Sequence, residues 1–339
     1  MKRSVANVLL VIVTVIWGGG FIATSAALDC FEPFYVLMIR FVGSALLSFL
    51  IAFPRLKSVE RKTLRKGAVA GVFLFLAFAF QTFGLQGTTA SKNAFLTTTN
   101  VVFVPYISWM IFRRRPTQRQ VMASLLCVIG IALLTLKGDA LSFGTGDLYS
   151  LLCAVFFACH IIALDWATKG EDVLVINAMQ MLIAGILSTF CALLFGMPPT
   201  EVSIQALLSA LYLIAISTCL AFLLQTAAQK YTSASSASLI LSMEALFASI
   251  FSFFLLHEEI SPMMMLGGVL ILGSILLVEY QRPTKRPEST ETAKGEQYTV
   301  LGDENADLHN QSELLSVREG ACESCLLYTS PSPRDPKTS

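Results

Sequence analysis

The sequence predicts an all-α integral membrane protein of ten transmembrane helices, arranged as two inverted five-helix repeats. Three observations predict it. The 339 residues are 55% hydrophobic and 14% charged, where soluble chains carry about 25% charge. The apolar residues fall in repeated runs of about 20, the length that crosses a bilayer as a helix. Finally, part of the chain is written twice.

The first apolar run, 6–28, follows Met1-Lys2-Arg3. It is longer than a signal-peptide core and is followed by nine more spans, so it is read as a retained helix. Those nine are 34–53, 67–85, 91–112, 120–136, 146–167, 174–196, 205–229, 234–257 and 263–280. Continuous apolar runs satisfy their own backbone as helices rather than as barrel strands. The connections are short, as at Asp29 to Pro33 and at Gly196-Met197-Pro198-Pro199. They leave one bundle and no room for a soluble domain. The sequence thus divides into a first repeat (1–140), a second (141–282), a polar tail (283–324) read as disordered, and a terminal stretch (325–339). That last stretch reads as translated sequencing adapter rather than natural protein.

The repeat is ungapped where it is clearest. Gln81 falls on Gln225, Thr82 on Thr226, Thr88 on Thr232, Ser91 on Ser235, Phe103 on Phe247 and Ser108 on Ser252. At a slightly different offset, Trp17 falls near Phe157 and Arg40 on Gln180. Five is an odd number, so the second half enters the membrane upside down. Its aligned ends should then differ in charge, and they do: Arg113-Arg114-Arg115 against His257-Glu258-Glu259. Internal symmetry of this kind marks transporter folds.

Loop charge sets the orientation. Lys2, Arg3, Arg55, Lys57, Arg61, Lys62, Arg65, Lys66, Arg113, Arg114, Arg115, Arg119, Lys169 and Lys230 fall on one side. Asp29, Glu32, Asp139, Asp147, Glu201, Glu258 and Glu259 fall on the other, with Lys92 and Lys137. Positive loops stay cytoplasmic, which predicts a multi-pass plasma (inner) membrane protein with both termini inside.

The polar residues within the spans are the candidate site. Trp17-Gly18-Gly19-Gly20 interrupts the first helix, where each Gly costs roughly 1 kcal/mol against Ala. Close helix packing and a cavity or hinge both account for it. Arg40 lies about two turns into the second span, too deep for easy snorkelling. Asn93, Thr97 and Asn100 recur at spacings of four and three and so share one face. Helix–helix bonding and substrate contact account for that stripe equally. Gln81, His160, Gln180 and Gln225 are further intramembrane polar groups. Glu244 lies mid-span with no base on its helix. An ionised carboxylate is costly there, which makes Glu244 the proton-coupling candidate. Pairing with Arg40, or a polar contact between helices, is the structural alternative.

No nucleophile elbow, zincin or Walker pattern is present, so no catalytic residue, cofactor or metal is predicted, and the chain is not read as an enzyme. The eight Cys are scattered without zinc-ligand spacing. Small-molecule substrate, the lipid bilayer and protons are the predicted partners. A homodimer is a candidate assembly, and nucleic acid is not among the partners.

Taken together, Trp17-Gly18, Arg40, the Thr-Ala-Ser-x-x-Ala-x-Leu stretch from Thr89, Glu244, Glu258-Glu259 and Gly267-Gly268…Gly273 resemble the drug/metabolite transporter superfamily, in its EamA-type branch. The resemblance covers about residues 6–280. Two positions depart from it: Ala245 stands where relatives often have Pro, and Arg115 where many carry an acid. The resemblance implies a secondary transporter that exports small metabolites such as amino acids or related compounds by alternating access around a midplane cavity. The site candidates are then Trp17, Gly19, Arg40, Gln81, Asn93, Thr97, Asn100, His160, Gln180 and Gln225, with Glu244 for the proton. The alternative reading is an uncoupled facilitator or a channel.

Overall fold

Helices dominate the computed structural model, which describes residues 1–279 except 114, 138, 139, 142, 200 and 260. The tail (283–324) and terminal stretch (325–339), with Arg114 and Asp139, lie outside the described residues. Ten helical rods run through the rest: α1 (Arg3–Leu28), α2 (Pro33–Ala52), α3 (Arg61–Gln86), α4 (Ala90–Phe112), α5 (Gln118–Thr135), α6 (Thr145–Ala167), α7 (Val173–Phe195), α8 (Ile204–Gln229), α9 (Ala234–Leu256) and α10 (Pro262–Glu279). Eight are long and apolar enough to cross a membrane. The other two carry shorter apolar stretches, Val121–Gly130 in α5 and Pro262–Ser274 in α10. A two-residue ladder, Leu136–Lys137 with Ala140–Leu141, closes the turn between α5 and α6.

The helix starts follow from local chemistry. Pro33 opens α2, where its missing N–H is no loss. Asp172 accepts from Leu174 N (2.8 Å) to start α7, and Ser203 from Ala206 N (3.1 Å) to start α8. Thr89 caps α4 and Ser233 caps α9. These two caps are successive to the repeat-matched Thr88 and Thr232, so the turn is encoded twice. One expectation needs correcting: Arg61, Lys62, Arg65 and Lys66 are not loop residues. They form the first turns of α3, which starts at Arg61. Lys92 lies on the first turn of α4, within the predicted span.

The packing repeats with the halves exchanged. α3 packs along α6 as α8 packs along α1, and α4 packs on α6 as α9 packs on α1. α3 meets α7 as α8 meets α2, while α2–α7 and α5–α10 pair across the pseudo-axis. End contacts obey the same rule. Asp172 before α7 reaches Arg55 (3.9 Å), and Glu32 before α2 accepts from Met197 N (2.8 Å). The two groups of loops stay at opposite ends of the bundle. Lys66, Lys230 and Arg55 meet the α6–α7 loop at the basic end. Lys92, Asp147 and Glu258 meet at the far end.

Two glycines show why the interior holds no larger residue. A Cβ on Gly18 would sit 2.6 Å from Phe247 Cβ and 2.9 Å from Ala248 N, so α1 touches α9 backbone there. A Cβ on Gly130 would sit 2.8 Å from Gly267 O, which fixes how closely α5 lies on α10.

Candidate functional site

Three departures from regular helix shape the centre of the bundle. α4 breaks at Thr99 into Ala90–Thr98 and Asn100–Phe112. α9 breaks at Ser242-Met243 into Ala234–Leu241 and Glu244–Phe251. The causes are matched. Thr98 and Thr99 donate their hydroxyls to Phe95 O (2.8 Å) and Leu96 O (2.7 Å), and Ser242 donates to Leu239 O. Hydroxyls that bond back to carbonyls three residues earlier compete with the helix ladder. The breaks place Asn100 and Glu244, which the repeat aligns, at the starts of the two half-helices. Discontinuous helices at mid-membrane are where transporters build sites.

The third departure is a π-helical segment, Leu213–Leu220, in α8. It turns backbone and hydroxyl groups toward the first repeat. Ser44 donates to Ile214 O (2.7 Å), Trp17 Nε1 to Ser217 O (3.0 Å) and Arg40 Nε to Thr218 Oγ1 (3.1 Å). The aligned part of α3 is a regular α-helix. Wide turns of this kind occur at functional sites; a second π segment, Ser252–Leu256 in α9, also lacks a counterpart in the first repeat.

Between these elements lies a small cavity. Its polar lining is Arg40, Gln81, Glu244, Ser217 and Thr24, and its apolar walls include Trp17, Phe78 and Phe157. It is constricted: the centre of a water-sized sphere has about 20 Å³ to move in. Register places it in the far half of the bundle. Thr24 and Leu85 lie near the far ends of α1 and α3, and Arg40 sits about 10 Å below the start of α2. Rings close the other side. Trp17 meets Phe222 (4.9 Å), and Phe78 meets both Phe157 (5.2 Å) and Phe222 (5.7 Å).

Arg40 and Glu244 dominate the electrostatics. Arg40 is 2% exposed, and its guanidinium carbon stands 4.2 Å from the Phe78 ring centre. Glu244 is 6% exposed. Both line the same cavity, yet among the described residues neither makes an ion pair, with the other or with anything else. One structural alternative for Glu244, pairing with Arg40, is therefore not what the structure holds. A buried charge without a counter-charge is costly, and both residues line the same cavity.

The remaining predicted residues divide. Trp17 and Gln81 join the cavity. Gly19 does not: it makes room for Tyr212, whose hydroxyl donates to Ile16 O (2.8 Å), and it is Gly20 that lines the cavity. Asn93 donates to Ser150 Oγ (2.9 Å) and Gln81 O (3.2 Å), tying α4 to α6 and α3. Thr97 accepts from Gln81 Nε2 (3.5 Å) and meets Cys153 Sγ (3.6 Å). Asn100 donates to Thr97 O (3.0 Å). His160 and Gln180 bond each other (3.0 Å), and Gln225 donates to Gln229 (3.0 Å), on the basic side of the rings. Sequence reasoning missed Thr24, Phe78 and Ser217. Phe78 is an apolar residue in an apolar helix and gives no signal; Ser217 gains its role only through the π segment.

Sequence reasoning also missed the ties between the repeats. At the basic end Lys66 pairs with Glu171 (2.8 Å), both side chains over nine-tenths buried, and Thr63 donates to the same carboxylate. Lys66 and Thr63 hold the Glu171 carboxyl below the usual carboxylate range. At the far end Lys92 pairs with Asp147 (2.8 Å), and Glu258 accepts from Ala90 N (2.8 Å) and Ser91 N (3.2 Å) at the start of α4. Each acid comes from the second repeat and each donor from the first.

Ten helices in inverted repeats, broken helices at mid-depth and a polar-lined cavity define a membrane transporter. The sequence pattern of the EamA-like transporter family matches residues 4–136 and again 144–280. The chain belongs to that family, within the drug/metabolite transporter superfamily. It is 33% identical over 278 residues to an uncharacterized transporter of Archaeoglobus fulgidus, covering 82% of this chain and 87% of the relative. It is 25% identical over 283 residues to a chloroplastic WAT1-related protein of Arabidopsis thaliana, covering 78% and 67% respectively. A solved crystal structure superposes with a TM-score of 0.63 at 17% identity, covering 82% of this chain and 97% of the other, a likeness of fold.

Proposed function

We propose that the protein is a secondary active exporter of small metabolites such as amino acids or related compounds, driven by protons and working by alternating access. The observation that carries this reading is that Arg40 and Glu244 line one cavity, both buried and neither ion-paired. A transported molecule can complete both. Its anionic group would take the Arg40 guanidinium, already held in orientation by Thr218 and Phe78. Glu244 would be neutralised by a proton or by a cationic group, which links proton occupancy to cargo. The aromatic walls would take the apolar body of the cargo. Export as the direction rests on the resemblance to EamA-type proteins.

The basic end is read as cytoplasmic, with both termini inside and the plasma membrane as the site. The ties at the two ends support alternating access, since each joins one repeat to the other. The test is flux of amino acids into and out of proteoliposomes, with and without a pH gradient. Wild type should accumulate cargo against its gradient when a pH gradient is imposed. Glu244→Gln should lose that response and keep exchange at equal pH. Flux through the wild type that ignores the gradient would leave the facilitator reading instead, and non-saturating flux the channel.

A further inference from the structure

We infer that the buried cluster of His160, Gln180 and Gln225 is the closed form of a second, uncharged binding cavity, which opens toward the basic end and takes the hydrogen-bonding groups of the cargo. The inference rests on the transporter reading above and adds to it a site with its own residues.

The cavity that is open in this structure has a twin in the repeat. Arg40 falls on Gln180, Gln81 on Gln225 and Glu244 on Asn100. At the offset of Trp17 and Phe157, Gly20 falls on His160; at the offset of Gln81 and Gln225, Phe78 falls on Phe222. These twin positions come together in space as the originals do. His160 Nε2 meets Gln180 Oε1 at 3.0 Å, and the His160 ring stands 5.8 Å from Phe222. Gln180 also donates to Thr226 (3.1 Å), the neighbour of Gln225. Gln229, one turn on from Gln225, donates to Ile161 O (3.1 Å) and so holds α8 against α6 beside His160. This cluster lies on the far side of the ring floor from the open cavity.

A second observation is independent of the alignment. His160 Nδ1, Gln225 Oε1 and Asn100 Oδ1 are each buried without a hydrogen-bond partner. All three belong to the twin set. They are three of nine such atoms among the described residues. A buried polar atom without a partner is one that water or ligand can satisfy in another conformation. The Lys66–Glu171 tie closes the basic end above it, joining α3 to the α6–α7 loop.

The two cavities differ in chemistry. One offers Arg40 and Glu244; the twin offers amide and imidazole groups and no charged side chain. An ionic cargo is therefore held through its charges on the far side and through donors and acceptors on the basic side.

The test is thiol labelling of the full chain in membrane vesicles of both orientations, in a cysteine-free background. Gln81→Cys, Gln225→Cys and His160→Cys are each exposed to a membrane-impermeant methanethiosulfonate reagent. Gln225→Cys and His160→Cys should react from the basic face only, about tenfold faster when Lys66→Met removes the tie. Gln81→Cys should react from the far face, and more slowly with Lys66→Met. If Gln81→Cys reacts from the far face while Gln225→Cys and His160→Cys stay inert from the basic face, with or without Lys66→Met, the twin cavity is overturned and the transporter reading stands. If none of the three reacts from either face, both fall.

Discussion

Arg40→Met separates binding from folding, because the structure allows the energy to be worked from both sides. In favour of the native residue stand one charge-assisted hydrogen bond to Thr218 at 3.1 Å, worth about 1.5–3 kcal/mol, and the Phe78 ring at 4.2 Å, worth about 1–2 kcal/mol. Against it stands the burial of a guanidinium with no carboxylate partner, at least ~2.5 kcal/mol at this depth. The terms nearly cancel. Met fills similar volume, packs on Phe41 and Phe78, and leaves only the Thr218 hydroxyl oxygen without the donor that Arg40 supplied. The expected change in stability is within about 1 kcal/mol, a few degrees in thermal unfolding for a chain of this size. The expected change in cargo binding is a loss of at least about tenfold, since a truncated charge contact costs more than 1.4 kcal/mol. The assay is unfolding of purified protein in detergent micelles, alone and with a panel of zwitterionic and anionic metabolites. A wild type stabilised by some of the panel, with Arg40→Met equally stable but indifferent to all of it, is the expected outcome. A variant that unfolds 10 °C or more below wild type would refute the reasoning and make Arg40 a structural residue.

Glu171→Gln should open the basic end: the pair is buried but shallow, so its loss costs about 1–3 kcal/mol, between surface and deep pairs; faster thiol labelling at position 225 reads it, and restoration by the charge swap Lys66→Glu with Glu171→Lys separates a tie from general damage. The same tie has a defined pH dependence. Lys66 and Thr63 lower the Glu171 pKa from the ordinary 4.5, so its contribution is complete above that value and is lost only as pH falls below it; labelling at position 225, divided by the thiolate fraction at each pH, should stay flat from pH 8 to 5, and a rise within that window would assign the closure to another group. Gly18→Ala must push α1 off α9, because its Cβ would lie 2.6 Å from Phe247 Cβ and 2.9 Å from backbone. Such overpacking costs about 1–3 kcal/mol, so a drop in thermal stability is expected, and an unchanged unfolding temperature would show that the contact gives way freely. Single-cysteine labelling of whole cells should reach positions 32 and 259 from outside and not position 61, which checks the orientation read from loop charge.

The sequence by itself determined the solvent, the number of rods and the symmetry. Runs of apolar residues have one solution in lipid, and a repeat of odd helix number has one consequence for orientation. It also marked Arg40 and Glu244, because a charge inside an apolar run stands out without any knowledge of neighbours. Which polar residues share a cavity was decided by tertiary structure. Asn93, Thr97 and Gln81 look alike along the chain, yet Asn93 is spent on Ser150, and of the three only Gln81 reaches the open space. The two-sided reading of Trp17-Gly18-Gly19-Gly20 was likewise divided residue by residue, with Gly18 and Gly19 against neighbouring helices and Trp17 and Gly20 on the cavity. The Lys66–Glu171 tie joins residues more than a hundred positions apart, and loop composition alone placed Lys66 in a loop and left Glu171 unremarked. The reason is physical. Burial in lipid is a property of each residue's own transfer energy and can be summed along a helix. A cavity is made of the gaps between helices, and gaps depend on crossing angles, a π turn in α8 and the rings of Phe78, Phe157 and Phe222, which no periodicity records.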